Sequence, residues 1–437
     1  MTTTNKVNVP FGKQGSLILS LPTNWEIIGI CNPKPIKPCE DVQAEIHRAL
    51  ANPIGSPDLR ELARGAKTVA VVVDDISRPT PIHLFFDHVL AELEAGGIDR
   101  DKITVLTGLG VHRPMTEDEI KSKIGASGAN RYRVINHQFE MGDHLARLGV
   151  TSRGTEAYVH NVVAEADIVL SLGCIEPHVI AGFGGGYKNI FPGCAGKVTI
   201  AANHKLNTTP QTFNMVGSKP ETNPMRCDLE ECGSLLPGKV FIVNAVLDGS
   251  LRVVRIVAGH PVAAHREGIR TCQEIYGVQI PKQCDVLITC SHPMNIDLRQ
   301  GFKALANTIH AVRPGGALLN LIAAEQGIGD MNLPKKLHVS KKTVRTIARI
   351  LSPILGRFTF GMKEEDLFFI YFFMQVMKRN DLYIYSPNLP ADIPERLPFL
   401  DIHNNIDAML ERAARTMPGN ASVLVFPFGG VTYPILG

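Results

Sequence analysis

From residue 68 onward the chain alternates two kinds of apolar pattern. TVAVVVD (68–74) is an unbroken β-rich run, the pattern of a strand covered on both faces. PIHLFFDHVLAELEAGG (81–97) then spaces its apolar residues at helical intervals and stops on two glycines, which predicts a helix. KITVLTG (102–108), YRVIN (132–136) and DIVLSLG (167–173) read as further strands. After the strand RVVRIVAG, the segment HPVAAHREGIRTCQEIYG (260–277) predicts a long helix. The rhythm restarts with the strand CDVLITC (284–290), the helical RQGFKALANTIHAV and the strand GGALLNLIA. ASVLVFP (421–427) adds a last strand to one sheet or the other. Strand–helix–strand order of this kind predicts an α/β protein whose largely parallel, doubly wound sheets are flanked by helices.

At 437 residues the chain is too long for one ordinary core. Two domains are expected, 1–270 and 271–437, divided in or just after the helix at 260–277, with the last strand free to return to the first. The opening VPFGKQGSLILSLP reads as a β-hairpin followed by a loop punctuated with Pro and Gly. A net charge of +3, with no basic run or aromatic ladder, argues against nucleic acid as a partner. The longest apolar run, LFFIYFFM (367–374), falls well short of the roughly 20 residues a bilayer span needs. It predicts a buried helix and no membrane partner. The first fifteen residues hold no apolar core, and nine cysteines are scattered without regular spacing, so a cytoplasmic protein with reduced thiols is expected. Cys227 and Cys232 lie close together, but no second pair stands nearby to complete a structural zinc site.

Unusual polar clusters follow the strands. DDISRPTP follows TVAVVV, GLGVHRP follows ITVLT, CIEPH follows DIVLSLG, and SHPMNIDLRQ follows DVLIT. Ligands of doubly wound sheets collect beyond the carboxyl ends of the strands, so the four clusters point to one shared site.

Beside the third cluster lies HVIAGFGGGYKNIFPGCAG (178–196). It is not a phosphate P-loop, because Tyr187 stands where a glycine must precede Lys188 and Asn189 stands where Ser or Thr must follow. The dinucleotide fingerprint started from Gly182 fails too, its third glycine falling on Tyr187. The glycines serve close backbone approach to something else, or a tight turn. His112, His178 and His204 each sit in a turn after a predicted strand. Two neutral histidines could exchange protons with a bound acid from opposite sides. Three could instead hold zinc and leave a position for water. A general base supplies a factor on the order of 10²–10⁴, too little alone to take hydrogen from a carbon beside a carboxylate. Redox chemistry at such a carbon needs a cofactor, and a lysine in a crowded glycine loop suits covalent attachment of one.

DDISRPTP (74–81), GVHRP (110–114), EPH (176–178), GGGYKNIFPG (184–193) and NH (203–204) resemble, in order and spacing, the nickel-pincer lactate racemase family, and ALANPIGSPDLREL adds to the likeness. The resemblance implies a racemase or epimerase of 2-hydroxy acids, with residues 1–270 binding the cofactor and 271–437 closing over the substrate in the cleft. It implies that Lys188 carries a nickel-pincer nucleotide, a pyridinium mononucleotide with two sulfur arms held through a thioamide, and that His204 ligates the nickel. A flat four-coordinate site suits Ni(II). His112 and His178 would stand on opposite sides of the substrate's α-carbon as acid and base. Arg78 would pair with the substrate carboxylate, Asp75 would orient a neighbour or touch the cofactor, and Gly184, Gly185 and Gly186 would lie against the nucleotide. From the second domain, Gln300 and Lys303 would complete the anion pocket. Cofactor-assembly enzymes are the implied protein partners. Arg299, before Gln300, departs from the family pattern of a tyrosine there. A second guanidinium suits a substrate larger or more acidic than lactate, a diacid or an aldonic acid, unless it is a solvated rim residue. Two other readings stay open: a zinc-dependent hydrolase or lyase using the three histidines, and a non-catalytic binding protein for a nickel cofactor or hydroxy acid.

Overall fold

The computed structural model describes residues 5–436 apart from 330, 332, 334, 335, 337 and 356–363. Two six-stranded sheets organise it. In the first, the strands run in the order Val253–Gly259, Lys239–Leu247, Ile168–Cys174, Val69–Asp74, Ile103–Gly108 and Arg133–Asn136, all parallel except the antiparallel first member. In the second, Asp401–His403, Asp381–Tyr385, Val312–Leu321, Cys284–Cys290, Ser422–Phe426 and Glu26–Ile30 are parallel throughout.

The continuous apolar runs are explained by burial on both faces. Val69, Val71 and Val73 pack beneath the helices Val42–Ala51 and Phe86–Ala95, while Ala70 and Val72 face the opposite core with Ile190 and Phe191. That second core continues without a break to Leu287, Leu318 and Leu382 of the other sheet, so the two sheets share it.

The helix predicted at 260–277 spans Ala263–Tyr276. The apolar run at 367–374 lies in the helix Glu364–Arg379 with Tyr371, Phe372 and Met374 buried; the side chains of 364–369 lie outside the described residues. Among the described residues no helix is long and apolar enough to cross a membrane.

Two expectations need correction. The loop expected after the amino-terminal hairpin contains a strand, Glu26–Ile30, which pairs with Ser422–Phe426. The hairpin itself, Lys6–Pro10 and Ser16–Ser20, packs Val7, Val9 and Leu19 against the second sheet. Residues 6–30 therefore join the unit expected to begin at 271, not the one beginning at 1. The strand predicted at 421–427 lies in the second sheet as Ser422–Phe426, and a further strand after it, Tyr433–Leu436, pairs with Gly277–Ile280.

In the first sheet the chain runs outward in one direction from Val69–Asp74 and later returns on its other side with Ile168–Cys174. The loops after these two strands diverge, opening the crevice where such folds place ligands.

Candidate active site

The crevice is bridged by charge. Arg78, from the loop after Val69–Asp74, donates from Nη1 to Glu176 Oε1, from the loop after Ile168–Cys174. The Arg78 amide donates to the Asp75 carbonyl at 3.1 Å, but its guanidinium reaches across to Glu176. Asp74 is buried and binds the equally buried Lys123, whose Nζ lies 2.7 Å from Oδ1 and 2.9 Å from the carbonyl of Arg78. Burial pushes the Asp74 carboxyl upward, with Lys123 opposing. This buried pair ties the polar loop to the helix Glu117–Arg131.

Asp75 accepts from His112 Nδ1 and from the Ser77 amide at 2.8 Å. Burial pushes its carboxyl upward, but the His112 ring and the Arg78 charge outweigh that and hold it well below the usual range. An ionised carboxylate can only accept, so the His112 proton sits on Nδ1 and its Nε2 is left as the basic nitrogen. His178 has the opposite tautomer. Its Nδ1 faces the amides of Ile180 at 3.3 Å and Ala181 at 3.2 Å, which only donate, so a neutral ring carries its proton on Nε2. Burial, then the charges of Lys188, Arg78 and Lys303, keep this ring neutral, far below its ordinary pKa.

Lys188 is half-buried on the short turn Gly186–Asn189. Burial brings its amine down to about 7, with Arg78 and Arg226 acting in the same sense. An amine brought to about 7 is half unprotonated at neutral pH, enough to act as a nucleophile. His204, in the last turn of the helix Lys197–Lys205, donates from Nδ1 to the Ile200 carbonyl at 2.8 Å. Burial holds it near 4, so its Nε2 keeps a free lone pair. This is the state in which a histidine ligates a metal, its other nitrogen fixed by a carbonyl. Among the described residues no group of three His, Cys, Asp or Glu could hold a metal ion, so His112, His178 and His204 do not build the three-histidine zinc centre considered above.

From the second sheet comes the helix Leu298–Thr308, capped by Asp297, which accepts from the Gln300 amide at 2.7 Å. Arg299 and Gln300 occupy its first turn and Lys303 follows one turn on, so the three share one side of the helix. Lys303 is close enough to feel Arg78, Glu176 and Asp75; burial and then Arg78 bring its amine down to about 8.

The family model for the lactate racemase N-terminal domain matches residues 11–214. A lactate racemase of Lactiplantibacillus plantarum is 30% identical over 289 residues, covering 66% of this chain and 67% of the relative. The chain belongs to the lactate racemase family. A lactate racemase of Thermoanaerobacterium thermosaccharolyticum is 29% identical over 350 residues, 79% of this chain and 81% of the relative. The fold matches the lactate racemase apoprotein of that organism with a TM-score of 0.85 at 24% identity, over 98% of this chain and 100% of the other. The protein is thus an isomerase, a racemase, as its family is. The matched lactate racemase segment contains Asp75, Arg78, His112, His178, Lys188 and His204, while Arg299, Gln300 and Lys303 lie beyond it.

The glycines of this lactate racemase family member are crowded by the chain around them. A Cβ at Gly185 would meet Ile175 Cγ1 at 2.7 Å and Asn244 Oδ1 at 2.8 Å, and one at Gly186 would meet His265 at 3.0 Å. One at Gly184 would stand 3.3 Å from the Cys174 carbonyl. Both Gly185 and Gly186 have positive φ, 73° and 63°. The close backbone approach is to the protein itself.

Sequence reasoning missed Glu176, Lys123 and Arg226. Glu176 stood in view within the EPH motif. Lys123 was marked by its place beside Ile120 and Ile124 on one helix face, and Arg226 by its spacing from buried Met225 and Leu229.

Proposed function

We propose that the protein inverts the α-carbon of a 2-hydroxy acid, using a nickel-pincer nucleotide held covalently by Lys188 with His204 as the protein ligand to nickel. The observation that carries this reading is geometric: Lys188 stands half-buried on the turn Gly186–Asn189, and His204 gives its Nδ1 proton to the Ile200 carbonyl and leaves Nε2 available. Both groups are in the state that attachment and ligation require. When bound, the cofactor supplies the two-electron acceptor that no protein side chain provides.

The chain's own residues would do the rest. Arg78 spends one donor on Glu176 and retains other N–H groups for a substrate carboxylate, with Gln300 and Lys303 completing the anion pocket. His112, aligned by Asp75, takes the hydroxyl proton at Nε2. His178 holds a proton on Nε2, the atom from which it serves the carbinol oxygen on the other side. Acylation of Lys188 removes the charge that ranks next to burial in keeping His178 neutral. Attachment would therefore ease the proton traffic this ring must carry. Closure of residues 271–437 over the substrate excludes water from the site.

Arg299, one turn before Lys303, supports a substrate larger or more acidic than lactate. Gly184, Gly185 and Gly186 would shape the floor against which the nucleotide lies. Enzymes that assemble the cofactor are required partners, and nine cysteines free of disulfides suit the cytoplasm.

The test is chiral analysis of lactate, malate and aldonic acids incubated with protein produced alongside the cofactor pathway and nickel. Inversion of at least one acid is expected, with malate or an aldonic acid ahead of lactate. No inversion of any 2-hydroxy acid by fully loaded protein overturns the reading.

A further inference from the structure

The loop leading to Lys188 is held through both its amides and its carbonyls, and one buried side chain takes three of the carbonyls. Arg226 is fully buried. Its guanidinium donates to the carbonyls of Ala181 (3.4 Å), Gly185 (3.2 Å) and Phe183. His265 Nε2 donates to the Gly184 carbonyl at 2.8 Å, and Asn244 Oδ1 accepts from the Gly186 amide at 2.8 Å. Ile180 gives its carbonyl to Asn207 and Asn223, each at 2.9 Å. A path that visits left-handed φ at Gly182, Gly185 and Gly186 needs such capture, since buried carbonyls without donors are costly.

Arg226 is unusual in what it lacks. All three of its close acceptors are neutral. The carboxylate facing it, Glu230, stands 4.0 Å away and is already bound by Arg266 at 2.8 Å. A buried cation with neutral partners is expensive, and a neutral residue would leave the same core cheaper. Its charge reaches the groups around the crevice, acting on Lys188 and His178 alike.

We propose that Arg226 is a positioning residue for Lys188, setting both the path of the loop that carries the lysine and the positive field in which its amine sits. The inference rests on Lys188 being the attachment point, yet it concerns the apoprotein and is testable there. Lys188 lies among Arg78, Arg226, Glu176, Asp75, His178 and His204. His178 takes two amides at the start of the loop, whereas Arg226 is the cation among them that captures its carbonyls up to Gly185.

The experiment is competitive acetylation of apoprotein by a limiting small active ester at pH 7.5, read by peptide mass as the rate at Lys188 relative to Lys303. Wild type, Arg226→Met and Arg226→Lys are compared, with amide hydrogen exchange followed over residues 180–187. In Arg226→Met the Lys188 to Lys303 ratio should fall about threefold, the effect at pH 7.5 of raising the Lys188 amine by about one pKa unit from about 7. Exchange across 180–187 should quicken. Arg226→Lys keeps the charge without the fork, so its ratio should recover while exchange stays fast. A ratio and an exchange pattern unchanged in a folded Arg226→Met overturn the proposal. If that variant does not fold, Arg226→Lys decides alone: wild-type exchange over 180–187 overturns it. Failure of the attachment reading would instead appear as unmodified Lys188 in protein supplied with cofactor, whatever the acetylation ratio.

Discussion

At the scale of single residues, His112 and His178 are not equivalent. Asp75 fixes the proton of His112 on Nδ1, whereas backbone amides fix the proton of His178 on Nε2. Asp75→Asn should preserve the fold and allow the wrong His112 tautomer, lowering kcat by on the order of 10²-fold with little change in KM. Steady-state kinetics of loaded enzyme checks it, and an equal rise in KM would mean that Asp75 serves binding instead. Acid stability follows from other histidines. Burial holds His137, His160 and His204 near 4, below the 6.5 of an exposed ring. Between those values the unfolded chain binds protons that the folded one refuses, so stability is present above about pH 6.5 and is lost as pH falls toward 4. Thermal unfolding of apoprotein should show Tm dropping across that window; a flat Tm from pH 6.5 to 4 contradicts it.

Among elements, the loops that form the site are held from behind by buried polar side chains. Lys123 reaches from its helix to Asp74 and the Arg78 carbonyl. Lys123→Met would strand the buried Asp74 carboxylate, at a cost of about 3–5 kcal/mol. Urea unfolding should register that loss, and a change under about 1 kcal/mol would show that the pair is dispensable. Gly185→Ala meets both positive φ and atoms within 3.0 Å, so it should destabilise by about 1–3 kcal/mol and disturb Lys188, whose amide bonds the Gly185 carbonyl. These supports were hard to read in sequence because a charge on an amphipathic helix ordinarily faces solvent. The central strands were legible because burial on both faces leaves an unbroken apolar run, as in Val69–Asp74. The strand Glu26–Ile30 was not, being a half-exposed edge strand of five residues whose partner lies almost 400 positions away.

For the molecule as a whole, two largely parallel sheets share a core and bring Lys303 of one unit into the field of Arg78 and Glu176 of the other. Strand ends in the sequence pointed to that convergence, since each polar cluster follows an apolar run. The sequence did not reveal that Glu176, rather than Asp74 or Asp75, meets Arg78, because the partner is set by the switch in strand order at the crevice. Lys303→Met should raise KM for the acid far more than it lowers kcat, as measured on loaded enzyme; a pure kcat effect would remove Lys303 from carboxylate binding. The central claim is that Lys188 tethers the group that performs the inversion. Intact and peptide mass of protein produced with the cofactor pathway and nickel should place a nucleotide adduct at Lys188 in every active preparation. An unmodified Lys188 in protein that still inverts its substrate would contradict the account.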